Sequence, residues 1–264
     1  MSTRIHVAAL AGAVLGLFQL SGGAYAAQCG KTAAGYEAWK QEFSAEARAK
    51  GVGQAGIAAL MSTHYATATI NADRGLKSFR LSLDQFLAKR GGNTIVARGR
   101  QLKKSQGALF ANIERRYGVP AGPLLAIWGM ESGFGAVKGN QNMLSSVATL
   151  AYDCRRPEFF TDQLYAALKL VDSGRFTAQT RGSMHGEVGQ TQFMPKTVLQ
   201  YGIGNLDTAA GALDSTANYL KAHGWSAGQG YQPGEPNFGA IQAWNAASVY
   251  QQAIAHIGQR IDAQ

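Results

Sequence analysis

The sequence predicts an all-α protein. Three observations carry that reading. Apolar residues recur at intervals of three and four along most of the chain, no stretch of useful length alternates apolar with polar residues, and the longest periodic segment is stopped by Gly118 and Pro120.

The first predicted helix, 36–50, places Tyr36, Trp39, Phe43 and Ala47 on one face. A second, 76–89, does the same with Leu76, Phe79, Leu83, Phe86 and Leu87, and a long third runs over 94–117. Further helices are expected at 124–131, 144–152, 158–172, 195–201, 208–223 and 248–261. These stripes read as core-facing surfaces. The run Arg98, Arg100, Lys103, Lys104 reads as a solvated helix face, with contact to a ligand as the lesser alternative. The loop-like stretch 224–237, GWSAGQGYQPGEPN, is expected beside a cleft.

Residues 1–26 combine an early Arg4, an apolar core from Val7 to Leu20 and the ending Ala24-Tyr25-Ala26, the pattern of a cleaved secretory leader. Its apolar core is too short to span a bilayer. Gln28 before Cys29 does not suit lipidation, so the expectation is a soluble protein exported to the periplasm, residues 27–264 forming one domain and acting as a monomer. Loss of the leader removes one arginine and no acid, taking the net charge from +9 to +8. A basic surface implies an acidic partner, and an exported chain meets anionic cell wall rather than nucleic acid. The two cysteines, Cys29 and Cys154, are expected to form a disulfide in an oxidising compartment, with two unrelated buried thiols as the alternative.

The chemistry centres on 124–135, LLAIWGMESGFG. Leu124, Leu125, Ile127 and Trp128 make an apolar helix, which Gly133 and Gly135 must break, so the one carboxylate, Glu131, sits at the end of a buried helix. Burial disfavours the charged form of a carboxyl and suits it to donate a proton near neutral pH. The plainer reading is a helix-terminal Glu paired with a basic residue.

Further on come GSMHGEVGQTQFMP at 182–195 and AWNAASVY at 243–250. Together with ESGFG, these motifs resemble the lytic murein transglycosylases of the membrane-bound lytic transglycosylase B family, over roughly 36–261. The resemblance implies a lysozyme-like helical catalytic domain with additional N-terminal helices. It implies that Glu131 protonates the glycosidic oxygen between N-acetylmuramic acid and N-acetylglucosamine in peptidoglycan strands, then accepts the proton of the sugar's own C6 hydroxyl to leave a 1,6-anhydromuramoyl end. Matched position by position, it places Ser183, Gln190, Gln192, Trp244, Asn245 and Tyr250 on the substrate, with Trp244 standing where a Tyr is usual.

Two departures stand out. Many relatives carry an acidic cation-binding loop after QFMP, whereas 202–208 here reads GIGNLDT, so no metal and no cofactor are expected. Glu187 stands where the family often has Ala. It reads as a peptide-side or structural contact, or as a charge acting on Glu131. The rival functions are a muramidase cutting the same bond and a catalytically silent glycan-binding protein. Membrane association stays open, with no lipobox and no transmembrane helix in the mature chain.

Overall fold

The structure, a computed structural model, describes residues 27–75 and 81–263. The predicted leader lies outside the described residues, as does the 76–80 part of the second predicted helix.

After a short 3-10 turn at Ala33–Gly35, thirteen helices follow among the described residues: α1 (Tyr36–Ala49), α2 (Gln54–Met61), α3 (Thr67–Arg74), α4 (Leu83–Arg90), α5 (Gly92–Ser105), α6 (Gly107–Tyr117), α7 (Ala121–Ser132), α8 (Met143–Tyr152), α9 (Pro157–Asp172), α10 (Pro195–Tyr201), α11 (Ala209–Ala222), α12 (Phe238–Trp244) and α13 (Ser248–Asp262). Two two-residue strands, β1 (Gln141–Asn142) and β2 (Arg181–Gly182), pair antiparallel. The all-α expectation holds.

The helices enclose two apolar cores. One gathers α4 to α7 with α11 to α13. The other gathers α1 to α3 with α8 to α10, and Phe193 belongs to it. Tyr219 and Trp244 pack against both, so they mark the seam between the cores. In α7, eleven of twelve residues are buried and the exception is Glu131. A helix apolar all round must be enclosed, and each fully buried Leu or Ile contributes about 1.5–3 kcal/mol. α7 lies close against α13: a Cβ added at Gly122 would meet the Gly258 carbonyl oxygen at 2.3 Å, so only glycine fits there.

Local sequence explains several boundaries. Ser82 and Gln85 form a reciprocal capping box at the start of α4, while Asn142 caps α8 and Thr208 caps α11. Cys29 and Cys154 are bonded, with Cα atoms 5.0 Å apart. Gly30 N donates to Tyr152 O, so the start of the described chain is held against the end of α8.

The structure corrects three expectations. The single helix over 94–117 is two, α5 and α6, because Gln106 leaves helical geometry ahead of Gly107. The basic run on α5 is not merely solvated. Arg100 donates to Arg260 O, and Lys103 reaches the carbonyls of Ile261 and Asp262, satisfying the open C-terminal end of α13. The 224–237 stretch packs away from the cleft. Trp225 is buried with Nε1 donating to Gly118 O, Tyr231 OH donates to Asp262, and Asn237 ties the loop to itself through Ser226 and Gln229.

Candidate active site

Glu131 is placed by the way α7 ends. Gly133 takes a left-handed conformation (φ 58°), and Phe134 N donates back to Trp128 O, a helix stop that leaves Glu131 in the last turn. Ser132 Oγ locks the following turn by accepting from Gly135 N and donating to Gln190 O. A carboxylate at a helix C-terminus faces the negative end of the helix dipole, which disfavours its ionised form.

The carboxyl lies half-buried in the floor of a hollow of about 190 Å³ at the seam, lined by Glu187, Gln192, Phe193, Met194, Thr197, Tyr219, Trp244 and Asn245. Its Oε1 accepts from Tyr250 OH at 2.7 Å and from Trp244 Nε1 at 3.1 Å. Burial, above all, pushes its pKa above the usual carboxylate range. The two hydrogen bonds act in the opposite direction, the negative charge of Glu187 adds to the rise, and Arg90 opposes it. Burial also raises Tyr250 well above its ordinary range, so its hydroxyl remains a donor. A proton held on Glu131 near neutral pH is thereby favoured.

The walls are aromatic. Trp244 packs with Phe193 (centroids 5.4 Å) and edge-on against Tyr219 (5.2 Å), and Tyr219 OH donates to Ala243 O. Val188 and Phe193 exchange backbone hydrogen bonds across a tight loop. Within it Gln192 adopts φ 55°, an uncommon conformation for a residue with a side chain, of the kind that gathers at functional sites. Its Nε2 donates to Gly189 O and Lys138 O, leaving the amide oxygen without a protein donor among the described residues.

Residues 35–234 match the family described as the transglycosylase SLT domain. The chain belongs to this family. The membrane-bound lytic murein transglycosylase B of Escherichia coli (strain K12) is 36% identical over 137 residues, covering 46% of this chain and 38% of that protein. The chain thus spans well under two thirds of that curated relative. Among solved structures, SltB3 from Pseudomonas aeruginosa in complex with NAG-anhNAM-pentapeptide superposes with a TM-score of 0.79 at 29% identity, covering 86% of this chain and 79% of that one. The Escherichia coli lytic transglycosylase Slt35 in complex with bulgecin A gives 0.74 at 22% identity, covering 90% and 96%, a likeness of fold. The resemblance read from the motifs is borne out.

Within this family fold, Glu131, Gln192, Trp244 and Asn245 line one hollow, with Tyr250 beneath them. Two residues expected on the substrate, Gln190 and Ser183, lie outside that lining. Gln190 Oε1 accepts from Trp128 Nε1 and its Nε2 donates to Asp207 O, so it braces α7 from behind. Ser183 is held within its own turn, bonded to Glu187 and to two backbone N–H groups. Trp244 and Tyr250 prove to be donors to the carboxyl as well as wall and floor. Sequence reasoning missed Tyr219 and Thr197, which sat among ordinary helix patterns, and Phe193, which lay inside the QFMP motif without being singled out. A larger hollow of about 640 Å³, lined by Lys138, Arg175, Arg181 and Asp207, contains none of the site groups. Asp207 there pairs with Lys138 at 3.0 Å.

Because the Tyr250 hydrogen bond favours the ionised carboxyl, Tyr250→Phe raises the pKa of Glu131 further. NMR titration of labelled glutamate side chains checks this, and a downward shift contradicts the role assigned to Tyr250.

Proposed function

We propose that the chain is an exported peptidoglycan lytic transglycosylase. It cleaves the MurNAc-β-1,4-GlcNAc bond and leaves 1,6-anhydromuramic acid ends. The observation that carries this reading is Glu131: a half-buried carboxyl with a raised pKa, flanked by two side-chain donors, in the floor of an aromatic-walled hollow. The complex of the relative SltB3 with NAG-anhNAM-pentapeptide supports the same substrate class.

Glu131 donates its proton to the glycosidic oxygen as the bond to C1 breaks. Tyr250 and Trp244 then stabilise the carboxylate left behind, since both donate to Oε1. That carboxylate accepts the proton of the C6 hydroxyl as this oxygen attacks C1, an intramolecular step favoured by proximity. Trp244, Tyr219 and Phe193 offer apolar faces for the sugar rings. The leader pattern at 1–26 and the basic surface support action in the periplasm on the anionic wall.

A muramidase is the second reading, favoured by Glu187 in the same hollow, since hydrolysis generally uses two carboxylates. Product analysis separates them. Digests of purified peptidoglycan yield fragments ending in 1,6-anhydromuramic acid, lighter by one water than muramidase products. Predominantly reducing muramic ends overturn the transglycosylase reading.

A further inference from the structure

Ser183 has one hydroxyl proton and two acceptor sites. The proton goes to the Glu187 carboxylate, and the oxygen accepts from His185 N at 3.1 Å and Glu187 N at 3.2 Å. Its hydrogen-bonding capacity is therefore filled before any substrate arrives. What reaches the hollow from this turn is Glu187, whose Oε1 has no protein donor among the described residues.

The turn is firmly seated. Ser183 N donates to Glu187 O at 2.8 Å, and Gly182 pairs with Gln141 in the β1–β2 ribbon. His185 Nε2 lies 3.7 Å from Asp73, a buried carboxylate that also pairs with Arg155 and Arg156. A carboxylate fixed this way and aimed into the cleft beside a proton donor has an evident chemical use. Breaking a glycosidic bond builds positive charge around C1, and when the neighbouring acetamido group assists, the charge spreads onto that group and makes its N–H a stronger donor.

We infer that Glu187, positioned by Ser183, is a second working carboxylate of this site, accepting the acetamido N–H of the muramic residue and stabilising the positive charge that develops as the bond to C1 breaks. The inference rests on the transglycosylase reading. In the step, the acetamido oxygen bonds to C1 while the C1–O bond to N-acetylglucosamine breaks and Glu131 delivers its proton to the leaving oxygen. The C6 hydroxyl then bonds to C1, the acetamido oxygen departs, and the C6 proton returns to Glu131. No water is consumed, and Glu187 gains and loses nothing.

Glu187→Gln keeps shape and one acceptor but removes charge. It lowers kcat between about 10- and 100-fold with little change in KM, the low side for a fixed electrostatic contact because the hollow is open to water. The charged and titratable groups acting on Glu131 are Tyr250, Glu187 and Arg90. Removing the repulsion from Glu187 lowers the pKa of Glu131, so the alkaline limb of the pH–rate profile moves to lower pH. Ser183→Ala shifts kcat and the limb in the same direction by a smaller amount, and the double variant is no worse than Glu187→Gln alone. Should Glu187→Gln misfold on melting, Ser183→Ala carries the test. Unchanged kcat and an unmoved limb in the folded variant, while the wild type releases anhydro products, overturn this inference alone. A wild type that releases only reducing ends overturns the reading beneath it.

Discussion

Glu131→Gln abolishes turnover while leaving the fold and glycan binding in place. A positioned general acid contributes about 10²–10⁴-fold, and here the same group must also act as base, so loss of at least about a thousandfold in kcat is expected. Gln keeps an oxygen for Tyr250 OH and Trp244 Nε1, and the walls of the hollow are untouched. Stability should not fall. A carboxyl whose folded pKa lies above its unfolded value is destabilising once pH exceeds the unfolded value, because the unfolded chain then ionises more readily. An uncharged amide removes that disadvantage, so the melting temperature at neutral pH is equal or higher, as is common where function holds a group in an unfavourable place. Parallel kinetics on Glu187→Gln decide between the two carboxylates. A dead Glu187 variant beside an active Glu131 variant reverses the assignment of the proton donor.

Glu131, the candidate proton donor, was legible because its signal is local. An apolar run, one acid and two glycines fix a buried helix end within twelve residues, and the structure forms that end with the left-handed Gly133. Its hydrogen-bonding partners were not legible as such. Trp244 and Tyr250 lie 113 and 119 residues away from Glu131, and nothing in their own motif says whether an aromatic ring faces a sugar or points its N–H or O–H at a carboxyl. The hydrogen bonding of Ser183 was hidden for a related reason. Motif matching gives a position, whereas the direction of a hydroxyl depends on what its neighbours accept, and Glu187 four residues on takes its proton.

The fold shows the same division. Long periodic helices such as α1, α9 and α13 were read nearly to their ends. α2, α3 and α12 were missed, since seven or eight residues barely sample the helical repeat and tertiary packing makes them, whereas the equally short α10 is marked by Pro195 at its start. Glycine-rich 224–237 reads as generic loop, yet Trp225 anchors it to the end of α6 at Gly118 and Tyr231 anchors it to α13 at Asp262.

Removing the disulfide, by Cys29→Ser with Cys154→Ser, lowers stability by about 3–5 kcal/mol. The bond spans a sequence separation of 125, and constraint of an unfolded chain grows with the logarithm of loop length, which puts the upper figure near 5 kcal/mol. A protein of this size loses about 2–4 °C per kcal/mol, so the melting temperature drops by about 6–20 °C. Contacts beside the bond, Gly30 N to Tyr152 O at 2.9 Å and Tyr152 OH to Thr32 O at 3.0 Å, hold the same strand of chain and offset part of the loss. Catalysis at 25 °C should survive, because α7 is packed in the other core, away from Cys154 at the end of α8. Calorimetry of both forms measures the shift. Two free thiols in the unreduced wild type, or a melting change under about 2 °C, would show that the bond does not hold the start of the described chain to the end of α8.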